Sequence, residues 1–360
     1  MSSEKKDEKR PQDLFILEGI SYVSFNKDFS QVALSKKNKK IYIYSVPTLL
    51  KTDTWKLLHT LDNHQQYVSG IDWSPKTNKI LSCSHDKTAY VWKYEKDSWT
   101  PSNVVATTKL GYMTCKWNNR GDKFCAGTSA KNLFIGYYND ESKWWMGVNI
   151  KAHKSSVITC EIDPTSLFVI SGSTDCRIYI SSCYLPQIDD KFLTDATKPL
   201  AQKFGSIIFE FKPNAWVNSV AWNLNGNLAF AASQNSTVAV IDYKNNKTDF
   251  IKLKHSPPNM LLSGGEKSFY AICYDRNIYE YQLLDGKWIN TRKITDKKDG
   301  KTDKKEVNDK TLQGQKKDAL VVKMKQDPNV HPALILSVSV KGKDVVTTDV
   351  AGFVKFWKLS

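Results

Sequence analysis

The sequence has no apolar run long enough to cross a membrane, and its charged start, MSSEKKDEKR, lacks the apolar core of a signal peptide. Its seven cysteines show no CxxC spacing, which argues against both a zinc site and a disulfide framework. Cys83, Cys125 and Cys160 sit in apolar, strand-like runs, as small buried residues of a reducing compartment do. We therefore expect a soluble, intracellular protein without a metal ion.

Signatures of catalysis are missing as well. There is no GxSxG nucleophile elbow and no HExxH metal motif, and Gly264-Gly265 lacks the other glycines, the Lys-Ser/Thr pair and the helix of a phosphate loop. The histidines His59, His85, His255 and His331 are scattered without metal-ligand spacing. We expect no enzymatic activity and no cofactor.

What the sequence does have is positive charge. The net charge of +15 leaves nucleic acid or an acidic membrane surface as partner classes. The excess is concentrated, because residues 292–325 contain twelve Lys or Arg against six Asp or Glu, and the N-terminal tail and residues 36–40 add more. No aromatic residues interleave with the charges of residues 292–325, which disfavours base stacking and therefore nucleic acid.

An internal repeat determines the fold class. Residues 64–94, 112–138 and 216–243 each contain an alternating strand, a polar turn, a small-residue strand, a second turn and a third apolar strand. A large residue of the first strand and its counterpart in the third strand are 19 residues apart in five units. The five pairs are Phe25/Tyr44, Trp73/Trp92, Trp117/Gly136, Ile162/Ser181 and Trp222/Ile241. Extending this spacing places two more units, at Leu262/Tyr281 and Val338/Trp357.

Each unit also needs a fourth, outer strand. We expect these strands at residues 56–61, 104–110, 145–150, 207–211, 250–253 and 288–294. The seventh unit has none, because the chain stops at Ser360, while an orphan apolar run, residues 14–17, precedes the first unit. An N-terminal strand that completes the last blade would close the ring and remove an open sheet edge. The sequence predicts an all-β, seven-bladed β-propeller closed in this way.

The second unit carries the WD-repeat signature most fully, at His64, Ser82, Asp86 and Trp92. We expect these residues to form a buried hydrogen-bond network in which every polar group has a partner. The same residue types also occur in hydrolase triads. A catalytic role is far less consistent with the sequence, because no oxyanion-hole pattern accompanies these residues. The other partial sets complete the predicted structural network: His153, Ser171 and Asp175 in the fourth unit, with Ser181 in place of Trp, and Thr347 and Trp357 in the last.

Two insertions interrupt the period and set the expected domain organisation. We predict a disordered charged tail at residues 1–11 and one propeller at 12–360, with an inter-strand insertion at 185–206 and a lysine-rich insertion at 295–332. The second insertion contains a weakly amphipathic stretch that would become a helix on a partner; a disordered linker is the alternative. The candidate arm residues are Leu312, Lys316, Lys317, Leu320, Val321, Lys323, Met324 and Lys325.

Several segments together resemble a known family. They are residues 64–94, the SKWW element at 142–145, FGSIIFEF at 204–211, AWVNSVAWNLNGN at 215–227 and the long insertion before the last blade. In this order they are similar to the WD-repeat subunit, of the 40/41-kDa propeller type, of the actin-related protein 2/3 complex. The resemblance covers residues 20–359 and is most specific in the second blade and the SKWW element. Trp144 and Trp145 of that element are candidate interface aromatics; the alternative is a strand with one of the two rings in the core.

The resemblance implies a cytoplasmic, non-catalytic scaffold of the actin cytoskeleton. Its expected partners are the small scaffold subunits, an actin-related protein, nucleation-promoting factors and the mother filament. In that family the insertion before the last blade forms a protruding helical arm, which matches residues 308–324 here but is richer in Lys, Asp and Gly. The arm lysines would suit acidic actin surfaces. A WD-repeat adaptor of another complex, or a nucleic-acid-binding propeller, remains the alternative.

Overall fold

The computed structural model describes residues 14–15, 19–47, 54–106, 108–195, 197–200, 202–294, 333–341, 344–349 and 353–358. The strands of the first half are β1 (Leu14–Phe15), β2 (Ile20–Phe25), β3 (Gln31–Lys36), β4 (Ile41–Ser45), β5 (Lys56–Leu61), β6 (Val68–Trp73), β7 (Ile80–Ser84), β8 (Ala89–Glu95), β9 (Ser98–Val105), β10 (Tyr112–Trp117), β11 (Lys123–Thr128), β12 (Leu133–Asn139), β13 (Trp144–Ile150) and β14 (Val157–Ile162). Those of the second half are β15 (Phe168–Ser173), β16 (Ile178–Ser182), β17 (Ile207–Phe211), β18 (Val217–Trp222), β19 (Ala229–Ser233), β20 (Thr237–Asp242), β21 (Lys247–Lys252), β22 (Pro258–Ser263), β23 (Ser268–Cys273), β24 (Ile278–Leu284), β25 (Lys287–Lys293), β26 (Ile335–Lys341), β27 (Asp344–Asp349) and β28 (Phe353–Lys358).

Within these described ranges, the strands form seven antiparallel blades of four strands each, which confirms the predicted propeller. Blades 1 to 6 are β2–β5, β6–β9, β10–β13, β14–β17, β18–β21 and β22–β25, with the first strand innermost. Blade 7 consists of β26, β27 and β28, and β1 pairs with β28 as its fourth strand. The N-terminal strand therefore closes the ring, as the orphan apolar run predicts.

Burial changes from the axis to the rim in a way that explains the sequence of each strand. The second strand of a blade lies between its neighbours and is buried along its whole length, as in β7, β15 and β19. Small residues are required there: a Cβ on Gly127 would lie 2.3 Å from the Val157 carbonyl oxygen of the next blade. The outermost strands, such as β5, expose most of their side chains.

Neighbouring inner strands are joined by a repeated side-chain hydrogen bond to a backbone N–H. The Trp117 N–H donates to Asp72 Oδ2 over 2.7 Å, and the Trp73 N–H donates to Ser24 Oγ over 2.9 Å. The N–H groups of Val220 and Leu261 are held in the same way by hydroxyl groups of the preceding inner strand. These bonds satisfy backbone donors on a strand edge that has no neighbouring strand in its own blade.

The pairing register explains why the 19-residue spacing works in five blades and fails in two. In blade 2, Trp73 pairs with Ile80, which pairs with Trp92, and blades 1 and 3 to 5 keep this relation. In blade 6, Leu262 pairs with Tyr270 whereas Tyr281 pairs with Phe269, so the predicted match is wrong.

The seventh blade departs further from that spacing. Trp357 pairs with Val345, which pairs with Val340, so Val338 is not its counterpart. The second hairpin keeps its length in every blade, because Trp357 lies twelve residues after Val345 just as Trp92 follows Ile80. The first turn is shorter by one residue in blade 6 and by two in blade 7. The conserved unit is therefore the second hairpin alone.

The outer strand of blade 2 differs most from the prediction. It runs over Ser98–Val105 and not over residues 104–110, because Lys96 and Asp97 both adopt positive φ (50° and 59°) and reverse the chain in two residues. The strand in blade 5 likewise begins earlier than expected, at Lys247. The early strand in blade 2 lets β9 pair in parallel with β13 of blade 3, so that blades 2 and 3 share one eight-stranded sheet.

A buried ionic cluster fixes the first insertion, which joins β16 to β17. The insertion contains a short α-helix, α1 (Pro186–Asp189), and two 3-10 turns. Lys123 of blade 3 is fully buried and donates to Asp189 Oδ2 over 2.7 Å and to the carbonyl oxygens of Ser166 and Cys183. The guanidinium of Arg120 also contacts Asp189. No helix in the described ranges has the length and apolar character needed to span a membrane.

We predict that Lys123→Met lowers the free energy of unfolding by about 3–5 kcal/mol, because it leaves the Asp189 carboxylate and two carbonyl oxygens buried with fewer donors. The control, Lys76→Met, replaces an exposed lysine on the same side of the neighbouring blade. It should change the free energy of unfolding by no more than about 0.5 kcal/mol. Chemical denaturation measures both values. A loss below about 1 kcal/mol in Lys123→Met would contradict the assigned role of the cluster.

Candidate functional site

The predicted signature residues of blade 2 lie together in a buried network. Trp92 Nε1 donates to Ser82 Oγ over 2.8 Å, and the same hydroxyl lies 2.8 Å from His64 Nε2. His64 Nδ1 faces Thr88 Oγ1 at 2.9 Å and Asp86 Oδ2 at 3.3 Å. Since the indole occupies one acceptor site of Ser82, this arrangement fits a His64 tautomer with its proton on Nδ1.

Asp86 joins this network to two loops. Its carboxylate accepts hydrogen bonds from the backbone N–H groups of Gln65 (2.6 Å) and Thr88 (2.8 Å). Burial raises the pKa of the Asp86 carboxyl, but the hydrogen bonds from His64, Thr88 and Gln65 outweigh it and hold the pKa below its usual value. The network therefore ties the loop that enters the blade to the turn between β7 and β8.

Blade 4 repeats the arrangement without the indole. His153 Nε2 lies 2.8 Å from Ser171 Oγ, and His153 Nδ1 lies 3.1 Å from Asp175 Oδ2. Burial lowers the pKa of His153, although the neighbouring Asp175 carboxylate opposes the shift. Ser181 takes the position of the tryptophan, and among the described residues its buried hydroxyl has no hydrogen-bond partner.

Blades 7 and 6 contain further residues at the positions of this network. Thr347 is fully buried and donates to the Lys355 carbonyl oxygen over 3.4 Å. Trp357 pairs with Val345, two residues before Thr347, just as Trp92 pairs with Ile80, two residues before Ser82. In blade 6 the sequence interpretation missed His255, whose Nε2 lies 2.8 Å from the Tyr281 hydroxyl and whose ring stacks on Tyr279. The constant length of the second hairpin places Tyr281, the hydrogen-bond partner of His255, at the position that Trp92 has in blade 2.

These networks are built for structure and not for reaction. Ser82 is fully buried between His64 and Trp92, so its hydroxyl is inaccessible to a substrate. A nucleophile needs open space for the reacting atom beside it. Over the described ranges, no group of three or more His, Cys, Asp or Glu side chains is arranged to hold a metal ion.

The two candidate interface tryptophans face opposite sides of β13. Trp145 is 3% exposed and packs against Trp117 and Phe124, so its ring belongs to the core between blades. Trp144 is 53% exposed and is the one available to a partner. The candidate arm residues, from Leu312 to Lys325, lie outside the described residues, as do residues 1–11 and all of 295–332.

Trp144 is one of several exposed apolar side chains on neighbouring outer strands, which we call the apolar belt. Its members lie on the two outer strands of blades 1 to 3: Leu57, Leu58, Tyr94, Val105, Trp144 and Val148. The ring centroids of His59 in blade 1 and Tyr94 in blade 2 lie 5.5 Å apart. The pairing of β9 with β13 joins blades 2 and 3. Exposed apolar side chains gathered on neighbouring outer strands are candidates for contact with a partner.

We predict that Asp86→Ala lowers the free energy of unfolding by about 2–4 kcal/mol, because it leaves the backbone donors of Gln65 and Thr88 and the His64 ring without their acceptor. Asp62→Ala is the control, since Asp62 lies on the loop that contains His64 and Gln65 but forms exposed ion pairs with Lys39 and Lys40. It should cost less than about 1 kcal/mol. Equal stability losses in the two variants, measured by thermal or chemical denaturation, would count against the network.

Comparisons with known proteins agree with this architecture. The family model "WD domain, G-beta repeat" matches residues 55–93, 146–180 and 205–242. The chain is 32% identical over 268 residues to Actin-related protein 2/3 complex subunit 1A-A of Xenopus laevis, covering 72% of this chain and 70% of the relative. It is 32% identical over 286 residues to subunit 1B of Arabidopsis thaliana (78% and 75%), and 25% identical over 297 residues to subunit 1 of Schizosaccharomyces pombe (79% and 76%). An alignment of this length, together with the seven-bladed ring, shows that the chain belongs to the family of the actin-related protein 2/3 complex subunit 1.

Proposed function

We propose that this protein is a non-catalytic scaffold subunit of an actin-related protein 2/3 complex and supports the nucleation of branched actin filaments in the cytoplasm. The observation that carries the proposal is the 32% identity to subunit 1A-A over 72% of the chain. The mass of 41.0 kDa is consistent with the 40/41-kDa propeller type. Its partners would be the small scaffold subunits, one actin-related protein, nucleation-promoting factors and the mother filament.

The ring suits this role because it is rigid and its exposed features are spatially separated. Side-chain hydrogen bonds between inner strands and small residues between blades hold the blades in one arrangement. A rigid scaffold presents its contact surfaces in one geometry, so a partner does not have to order them on binding. We assign the apolar belt of blades 1 to 3 to the stable subunits, since permanent interfaces are the more apolar class.

The lysine-rich insertion supports a second contact. It follows Lys293 at the end of β25 and precedes β26, so it leaves the ring between blades 6 and 7. Its candidate residues combine apolar positions such as Leu312 and Leu320 with the lysines Lys316 and Lys317. We propose that this arm contacts the mother filament, whose acidic surfaces would attract the lysines.

We predict that the full-length tagged chain purifies with an actin-related protein and the small scaffold subunits. Trp144→Ala should reduce their recovery several-fold without lowering the melting temperature, because it removes an exposed ring of the apolar belt. Phe250→Ala is the matched control, an aromatic residue 56% exposed on the outer strand of blade 5. Purification without any actin-related protein would refute the scaffold role. Equal recovery from both variants would refute only the assignment of the belt.

We predict that deleting residues 296–326 leaves the ring folded, since the segment is an insertion between blades, but lowers the branching activity of the assembled complex. Complex composition, melting temperature and the rate of branch formation are measured together. A second variant keeps the length of the segment and replaces Lys316, Lys317, Lys323 and Lys325 with Ser, which tests charge alone. Full branching activity in the deletion would show that the segment is only a linker.

A further inference from the structure

A small cavity lies in the cleft between blades 5 and 6. Its volume is about 210 Å³, and it is lined by Leu228, Val240, Asp242, Lys247 and Asp249 of blade 5 and by Leu283, Gly286 and Trp288 of blade 6. Pockets that enclose a whole small molecule have volumes of about 300–1,000 Å³. This cavity therefore has the size to hold one side chain.

The cleft between blades 2 and 3 is built in the same way. Trp145 and Trp288 occupy equivalent positions on the outer strands of blades 3 and 6. The Trp145 ring packs on Phe124, with centroids 5.9 Å apart and an angle of 45° between the planes. The Trp288 ring packs on Phe269 in the same way, at 5.5 Å and 46°. The two clefts therefore contain the same aromatic pair.

In the cleft between blades 2 and 3, the chain supplies its own cation. The Lys79 ammonium lies over the Trp145 ring, with Nζ 5.2 Å from the centroid. At this distance the face of the ring attracts a cation. Burial lowers the pKa of Lys79, and the positive charge of Lys93 lowers it further. A lysine is thus held on this tryptophan although the surroundings disfavour its charge.

Blade 5 has different residues at both of these lysine positions. Lys79 directly precedes the second strand of blade 2, and Leu228 directly precedes that of blade 5. In the third strand, Asp242 has the position of Lys93, because each comes one residue after the residue that pairs with the start of the second strand. The cleft between blades 5 and 6 therefore has no lysine at the position of Lys79, and it has a carboxylate where the other cleft has an ammonium.

The two carboxylates at the cavity keep the capacity to accept hydrogen bonds. Asp242 accepts them from the backbone N–H and the side-chain amide of Asn245, over 3.2 and 2.8 Å. Asp249 lies 3.4 Å from the exposed ammonium of Lys247. Because a carboxylate has about four acceptor positions, each of the two can take a further bond from an ammonium group.

We propose that this cavity binds a lysine side chain from a segment of a partner protein. The methylene stem would pack between Leu228 and Leu283, and the ammonium would lie over the Trp288 ring. The carboxylates of Asp242 and Asp249 would offset the cost of removing the ammonium from water. This inference goes beyond the scaffold role, because it concerns the cleft of blades 5 and 6 and not the apolar belt of blades 1 to 3.

We predict that the full-length chain binds the capped peptide Ala-Ser-Ala-Lys-Ala-Ser-Ala in a saturable way. The protein is labelled with 5-fluorotryptophan, the Trp288 resonance is identified by its loss in Trp288→Phe, and its shift follows binding. A peptide with norleucine in place of lysine keeps the stem without the ammonium and should bind at least about tenfold more weakly. Binding of the lysine peptide should weaken as the salt concentration rises.

Three variants test the assigned residues. Asp242→Asn combined with Asp249→Asn should weaken binding of the lysine peptide about tenfold. The matched control combines Asp97→Asn with Asp140→Asn, which removes the same charge from exposed positions of blades 2 and 3 and should leave binding unchanged. Leu228→Lys should place the chain's own ammonium over the ring, as in the cleft between blades 2 and 3, and so abolish binding. Melting temperatures show that the variants are folded.

Four results would overturn the proposal. An unmoved Trp288 resonance would show that the peptide does not enter the cavity, and equal binding of the lysine and norleucine peptides would show that the charge is not recognised. Equal effects of the two Asn pairs would show attraction to net charge alone. A Trp288 resonance that moves on deletion of residues 296–326, without peptide, would assign the cavity to the chain's own insertion. The scaffold role is tested separately by recovery of an actin-related protein, so either proposal can fail alone.

Discussion

The ring depends on the side-chain hydrogen bonds that join inner strands of neighbouring blades, because an inner strand has a neighbour in its own blade on one side only. Asp72 and Ser24 accept backbone hydrogen bonds from the next inner strand, and Thr159 and Ser219 do the same farther around. These bonds require close approach, which the small residues of the second strands allow. Because each blade completes its neighbour, the blades fix one another's positions, and the short β1 strand closes the circle.

The polar residues that look most reactive in the sequence are used to hold loops. His64, Ser82 and Trp92 form a buried hydrogen-bonded network, and Asp86 connects two loops to this network. The buried Lys123–Asp189 pair likewise holds the first insertion against blade 3. Buried polar groups of this kind specify one loop arrangement, because leaving any member unpaired is costly.

This division leaves separate surfaces for separate partners. The apolar belt lies on the rim of blades 1 to 3, and the lysine-rich insertion connects β25 of blade 6 to β26 of blade 7. Stable subunits favour apolar contact, whereas segments that bind reversibly are commonly guided by charge. The chain belongs to the family of the actin-related protein 2/3 complex subunit 1, and we propose that its separate exposed features contact different partners.

Local patterns in the sequence were sufficient for most of the strands, the blade count, the closing strand and the members of the blade 2 network, because alternation and the length of the second hairpin are local properties. They misplaced the outer strand of blade 2. The 19-residue spacing failed in blades 6 and 7, since the first turn varies in length while the Leu262 and Val338 strands keep their pattern. Only the tertiary structure decided that blades 2 and 3 share a sheet and that Trp145 is buried while Trp144 is exposed. Each of these depends on which distant segments meet, and that is set by how the blades pack around the ring.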